Sequence, residues 1–400
     1  MTAPQASRAR GSAAATLLLI VAVAAQGCRA PGTSSSATGS AHPSSSAAVG
    51  PNASATPTGT AASSPETPPA TGTPLGPTTT APTPARSTTA TPAVPVSPAS
   101  GQLSLLVEPD QGIEPIYALI ASARKSIDLT MYELVDTNAE LALELAASRG
   151  VVVRVLLDVN REKAANQAAY DELSDLKVHV AWADPRYAAT HQKTLVIDDS
   201  VAAVMTLNMT SRYYSSTRDF AVIDRIPSDV AAIEQVFNAD FAHKTTVTPA
   251  ATDLVWSPHQ SEPVLVSLIN SATASLLVEN EEMSDKQVTA ALVSAAQRGV
   301  RVTVVMTDET DWHAAFATLV AAHVVVRIYA ATASLYIHAK VIVADAGTSR
   351  QRAFVGSENF SAASLNENRE LGLETTNPTI VAGLTNTLNS DAAGAATWRP

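Results

Sequence analysis

The chain has 400 residues, a formal net charge of −11 and a single cysteine. One cysteine excludes a disulfide scaffold, and the acidic balance argues against a surface built to hold a long polyanion. The length leaves room for two domain-sized cores.

Residues 1–100 contain no Phe, Trp, Tyr, Lys or Asp and hold 15 of the 24 prolines. Such a segment cannot bury enough apolar surface to offset chain entropy, so the folded part is expected over 101–400. Arg8 and Arg10 precede an apolar run from Ala13 to Ala25. That run is too short to cross a bilayer as a helix and has the order of parts of an export signal, so residues 1–28 are read as a signal peptide. It ends at Ala25-Gln26-Gly27-Cys28, which resembles the lipobox of bacterial lipoproteins. The resemblance implies lipidation of Cys28 and a lipoprotein held at the cell membrane, facing outward. Ala22-Val23-Ala24 is a competing cleavage site that would give a secreted protein instead. Residues 29–100, rich in Pro, Ser, Thr and Ala, are expected to form a disordered linker.

The folded part begins with a strand near 103–107, a helix near 112–124 and a strand near 126–132. A helix near 137–149 follows, with Leu141, Leu145 and Ala146 at helical spacing, Thr137 and Glu140 as a capping box, and Gly150 as its stop. The next strand is VVVRVLLD at 151–158, and HQKTLVIDD stands at 191–199. From here the chain repeats itself. AASRGVVVRVLLD (146–158) matches AAQRGVRVTVVMT (295–307) at an offset of 149, which also sets Glu133 and Asp136 on Glu282 and Asp285. YIHAKVIVAD (336–345) reproduces in His338, Lys340 and Asp345 the spacing of His191, Lys193 and Asp198. Asn208 stands eleven residues before Asp219, as Asn359 does before Glu370.

Two units are therefore expected, 101–248 and 249–400. Alternating helical and strand patterns make the class α/β, and the near-continuous apolar runs fit strands buried on both faces. Read as a strand, each motif puts its His and Lys side by side on one face.

HQKTLVID with Asn208, and YIHAKVIVAD with GSEN (356–359), resemble the paired HKD motifs of the phospholipase D superfamily. The second copy carries the full pattern. The first has Met205-Thr206-Leu207-Asn208 in place of Gly-Ser-x-Asn, so Thr206 keeps the hydroxyl and Met205 is expected to narrow the site. The resemblance implies two tandem α/β/α sandwich repeats, related by a pseudo-two-fold axis, with the active site at their interface. It implies His191 as nucleophile, a covalent phosphohistidine, and His338 as acid and then base. Lys193, Lys340, Asn208 and Asn359, with Thr206 and Ser357, would hold the phosphate. Asp219 and Glu370 would bond the second ring nitrogens, and Asp198 and Asp345 would be structural.

The chemistry suits a phosphodiester, which repels nucleophiles and has a poor leaving group. Two lysines stabilise charge that builds in the transition state, one neutral imidazole attacks phosphorus, and a second, protonated one delivers a proton to the departing alcohol. Glu133 and Glu282 are read as caps or solvated groups, and His179, His243, His259, His313 and His323, which lack a Lys partner, as ordinary. No cofactor and no metal are expected. The sequence has no H-x-x-x-H and no Cys cluster, and no compact group of carboxylates to hold a divalent ion is expected.

The first expectation for function is phospholipase D-type hydrolysis of phospholipid head groups. A phosphatidyltransferase of the cardiolipin synthase kind and a nuclease are the alternatives. Residues 101–400 carry 22 Lys plus Arg against 36 Asp plus Glu, which weighs against nucleic acid as a partner. A monomer acting on phospholipid is expected.

Overall fold

The computed structural model describes residues 101–245, 248–249 and 253–400. The readings of residues 1–28 and 29–100, Cys28 included, lie outside the described residues.

The N-terminal half runs β1 (Leu103–Glu108), α1 (Glu114–Ser122), β2 (Ser126–Met131), β3 (Leu134–Val135), α2 (Thr137–Ser148), β4 (Val152–Leu157) and α3 (Lys163–Asp175). It continues through β5 (His179–Trp182), β6 (Thr194–Ile197), β7 (Val201–Met205), β8 (Met209–Thr210), β9 (Thr217–Asp224) and α4 (Pro227–Phe241). The C-terminal half runs β10 (Leu254–Ser257), α5 (Ser261–Ser271), β11 (Ser275–Glu279), α6 (Lys286–Gln297), β12 (Arg301–Asp308), α7 (His313–Ala321) and β13 (Val325–Ala330). It ends with β14 (Tyr336–Ile337), β15 (Val341–Ala344), β16 (Arg352–Gly356), α8 (Ala362–Asn366), β17 (Glu370–Thr375), α9 (Pro378–Gly394) and β18 (Ala396–Thr397).

The two sheets share one plan. The first is ordered β1-β9-β7-β6-β2-β4-β5, and the second β10-β17-β16-β15-β11-β12-β13-β18. In each, four antiparallel pairings lead to two parallel ones, as at β2–β4 and β4–β5 or at β11–β12 and β12–β13. The strands alternate between two cores, because successive side chains point to opposite faces. Leu195 and Ile197 pack with the α1 to α3 residues Ile116, Leu143 and Leu173, whereas Val196 joins a central core. In the second half Ile342 faces the α5 to α7 layer, while Val341 and Val343 join the same central core. That core also takes Val230, Ile233 and Val236 of α4 and Ile380, Leu384 and Leu388 of α9. The halves therefore share buried apolar surface and form one compact body.

Three local readings change. The N-cap of α2 is Asp136, whose carboxylate accepts from the Asn138 and Ala139 N–H groups, so Thr137 lies inside the helix. Asp285 caps α6 in the same way at the Val288 N–H. Gly150 and Gly299 follow these helices at φ +89° and +90°, a left-handed stop that costs glycine nothing. The His and Lys of each motif do not lie within a strand: 191–193 and 338–340 come just before β6 and β15, and only the Lys193 and Lys340 carbonyls join the pairing with β7 and β16, accepting from the Met205 and Gly356 N–H groups at 3.0 and 3.2 Å. Met205 packs in the first core beneath the helices and does not narrow the site.

Each motif segment crosses to the opposite half. β14 pairs in parallel with β9, setting Tyr336 on Thr217 and Ile337 on Arg218. Thr190 makes the reciprocal parallel bridge to Arg369. The arginines at these crossings are buried and tied across the interface. Arg218 bonds Asp391 of α9 at 2.6 and 3.0 Å, and Arg369 bonds Asp240 of α4 at 2.7 Å. The Arg369 guanidinium also lies 4.8 Å from the Tyr187 ring.

Candidate active site

The crossing sets the histidines. The His191 N–H donates to the Arg369 carbonyl (2.9 Å) and the His338 N–H to the Arg218 carbonyl (3.2 Å). One residue further on, each opposite strand offers a carboxylate. His191 Nδ1 lies 2.8 Å from Glu370 Oε2, and His338 Nδ1 lies 2.8 Å from Asp219 Oδ1. The carboxylate of each half thus serves the histidine of the other. A carboxylate acceptor fixes the proton on Nδ1 and leaves Nε2 of both rings for chemistry.

Each carboxylate is held in turn. Thr206 Oγ1 donates to Asp219 and accepts from the Phe220 N–H. Ser364 Oγ and Asn368 Nδ2 donate to Glu370 at 2.6 and 3.0 Å. Burial pushes the Asp219 carboxyl up, but His338 and Lys340 outweigh it and carry it below the ordinary carboxylate value. Glu370 is lowered likewise, with His191 and Lys193 outweighing its burial. Burial holds His191 below the usual imidazole value despite Glu370, which favours the neutral form a nucleophile needs.

Lys193 and Lys340 are fully buried, and each Nζ donates to the carbonyl of its own motif histidine. Burial and then Lys340 push Lys193 down to about 7, so the two ammonium groups repel across the site. Asn208 Oδ1 and Asn359 Oδ1 are buried without a protein partner. Thr206 and Ser357 are a correction. Thr206 spends its hydroxyl on Asp219 and Phe220, and Ser357 Oγ bonds both backbone groups of Leu371. Neither hydroxyl is available to a phosphate; Ser357 instead aims its carbonyl at His191 Nδ1 (3.1 Å). Asp198 and Asp345 sit at φ +54° and +50° in turns and gather backbone N–H groups of 124–126 and 273–275.

Three site residues escape the motif reading. Glu281 Oε2 accepts from Lys340 Nζ (3.1 Å) and Asn359 Nδ2 (3.3 Å) and lies 3.6 Å from His338 Nε2. Burial would raise this carboxyl, yet Lys340 and His338 hold it well below the usual range. Tyr132 sets its ring edge against His191, with centroids 4.5 Å apart, and lies 4.9 Å from Lys193 Nζ. Glu162 bonds the Tyr132 hydroxyl. The signal for Glu281 and Tyr132 was the 149-residue offset, which superposes them.

Glu282 and Glu133 depart from the expected caps or solvated groups, since the caps are three residues on. Glu282 accepts from Asn359 Nδ2 (3.1 Å), and burial followed by Glu281 raises it to about 7. Glu133 is buried and pairs with Arg212 at 3.2 Å. A compact group of carboxylates also exists, contrary to expectation. Asp128, Asp199 and Glu234 offer oxygens within 4.8 Å of one another. They come from β2, a turn and α4, and Arg154 lies against two of them at 2.5 and 3.6 Å.

A family described as "Cardiolipin synthase, PLD-like domain" matches residues 116–241 and 265–392, once in each half and together more than half the chain. The chain belongs to the phospholipase D superfamily. Among curated relatives, cardiolipin synthase B of Salmonella typhi is 31% identical over 150 residues, covering 33% of this chain and 36% of that protein. Cardiolipin synthase 2 of Bacillus anthracis is 33% identical over 103 residues, covering 24% and 20%. The chain thus spans about a third or less of the length of these relatives.

The phosphatidylserine synthase of Haemophilus influenzae Rd KW20 superposes with a TM-score of 0.60 at 12% identity, over 76% of this chain and 89% of that one. A polyphosphate kinase from Porphyromonas gingivalis gives 0.56 at 16% identity, over 72% and 50%. These likenesses carry the tandem α/β fold. Among the described residues no helix is long and apolar enough to cross a membrane.

Proposed function

We propose that the protein transfers a phosphatidyl group from a phospholipid to an alcohol through a phosphohistidine on His191. The observation that carries this is the crossed arrangement of the histidines. Each has its Nδ1 fixed by the other half's carboxylate, beside two buried lysines. His191 Nε2 attacks phosphorus, and the bond to the head-group oxygen breaks as that oxygen takes the proton of His338 Nε2. His338 then accepts a proton from the incoming alcohol. The alcohol oxygen bonds phosphorus, and the P–N bond breaks to restore His191. Lys193, Lys340, Asn208 and Asn359 stabilise the non-bridging oxygens.

Hydrolysis, the first expectation, yields to transfer because the matched relatives are cardiolipin synthases. The second half-reaction accepts water or an alcohol by the same steps, so the motif did not separate them. Export and anchoring through Cys28 remain part of the proposal. Labelling with a fatty-acid analogue should be lost in Cys28→Ala.

The test incubates the full chain with phosphatidylglycerol vesicles and follows cardiolipin, phosphatidate and glycerol. Cardiolipin with equimolar glycerol is expected, in the presence of a strong chelator as well. Phosphatidate as the sole lipid product would return the reading to hydrolysis, and single-stranded DNA cleavage with lipid left intact would remove both.

A further inference from the structure

The two halves differ in charge at a position beside the histidines. Tyr132 and Glu281 hold the same place in the repeat, 149 residues apart. In the N-terminal half Tyr132 presents a ring to His191 and Lys193, and the Glu162 carboxylate on its hydroxyl makes no ion pair with Lys193 among the described residues. Among the described residues no carboxylate pairs with Lys193. In the C-terminal half Glu281 lies on all three groups that would face a phosphate oxygen. They are Lys340 Nζ at 3.1 Å, Asn359 Nδ2 at 3.3 Å and His338 Nε2 at 3.6 Å. Its other oxygen accepts from the Tyr336 hydroxyl at 3.2 Å, which holds the carboxylate in place. A second carboxyl, Glu282, accepts from the same Asn359 Nδ2 at 3.1 Å.

We propose that Glu281 is a specificity-determining residue that makes the site accept a phosphodiester monoanion and reject a phosphomonoester dianion. This rests on the reading that the two lysines and two asparagines hold a phosphate. A diester carries one negative charge, which Lys193 meets because no carboxylate stands against its ammonium as Glu281 stands against that of Lys340. A monoester near neutral pH carries close to two. Its additional charge would fall at Lys340, where a carboxylate already stands, and like charges a few ångströms apart in a buried site repel strongly. The phosphohistidine ester keeps a single charge on phosphorus and remains matched. A monoester formed when water intercepts that intermediate is expelled, and free phosphate does not block the site.

The test is binding, independent of lipid turnover. In the full chain with His191→Ala, so that nothing reacts, titration calorimetry compares sn-glycerol 3-phosphate with glycerophosphoglycerol at pH 7, where Lys193 still carries charge and the monoester is close to a dianion. With Glu281 present, the diester is expected to bind at least tenfold tighter than the monoester. Glu281→Gln keeps the shape and removes the charge. It should tighten the monoester at least tenfold and move the diester less than threefold.

Equal or tighter monoester binding with Glu281 in place overturns the proposal without needing the variant. So does a Glu281→Gln protein that leaves the monoester unchanged or tightens both ligands alike. Failure of phosphatidyl transfer in the vesicle assay is a separate result: it removes the proposed reaction and leaves the charge selectivity to be decided by the titrations.

Discussion

At the scale of single residues, the exchange of carboxylates between halves makes an unusual prediction. Asp219 belongs to the half that carries His191, yet it orients His338. Asp219→Asn should therefore impair the acid–base steps, by about 10²- to 10⁴-fold, and let a covalent adduct accumulate on substrates with good leaving groups. Glu370→Gln should slow formation of the adduct instead. Intact-protein mass spectrometry separates the two, and the opposite assignment would show that each histidine uses its own half's acid. Lys193 gives a second test. It titrates at about 7 when folded, pushed down by burial and Lys340, against an ordinary value near 10.4 in the unfolded chain. Between those values the unfolded state binds more protons, so this group's contribution to stability rises with pH and is unfavourable at pH 7. Lys193→Met should abolish turnover while raising the unfolding midpoint at pH 7, a gain that shrinks towards pH 10. A midpoint lowered at pH 7 would contradict the placement of a buried cation there.

At the scale of elements, the paired crossings align the site. β14 lies along β9 and Thr190 bridges to Arg369, so a parallel register of a few residues puts each histidine opposite its acid. The arginines Arg218 and Arg369 hold these crossings by ion pairs into α9 and α4. Removing one partner strands a buried carboxylate. Arg369→Met is expected to cost about 3–5 kcal/mol and to lower kcat further by loosening Glu370. Chemical denaturation and kinetics on the soluble variant check this; a loss below about 1 kcal/mol, the size of an exposed pair, would mean the bridge does not brace the halves. Close packing supports the same region. A Cβ on Gly372 would lie 2.2 Å from the Phe354 ring, and one on Gly356 would lie 2.4 Å from the Gly372 Cα. The glycine of GSEN thus serves strand contact, while Met205 fills the equivalent place in the first half with core volume.

At the scale of the whole molecule, buried acids set the response to pH. Burial raises Glu108, Asp224 and Glu282 to about 7, Glu234 to about 8 and Asp253 to about 6. A raised carboxyl contributes stability below its unfolded value that is lost as pH climbs through the folded one. Asp219, Glu370, Glu281, Asp198 and Asp345 are lowered, and their stability is lost as pH falls through the folded values. His191 and His259, lowered by burial, and above pH 7 Lys193, work against the raised carboxyls but are fewer than these. The unfolding temperature should peak near the ordinary carboxylate values, at about pH 4 to 4.5, and decline towards pH 8. Calorimetry showing a higher midpoint at pH 8 than at pH 5.5 would mean the lysines and His191 dominate.

The sequence by itself determined the duplication, the α/β class and both His-x-Lys motifs, because spacing and apolar periodicity are local and were written twice. Tertiary structure decided which acid serves which histidine, since both acids fit either partner along the chain and only the crossing of 190 and 336–337 into the opposite sheet selects. It also decided that Thr206 and Ser357 are spent on backbone and carboxylate, and that Glu281 occupies the cradle beside Lys340. These are matters of side-chain direction across an interface, and no one-dimensional pattern carries direction.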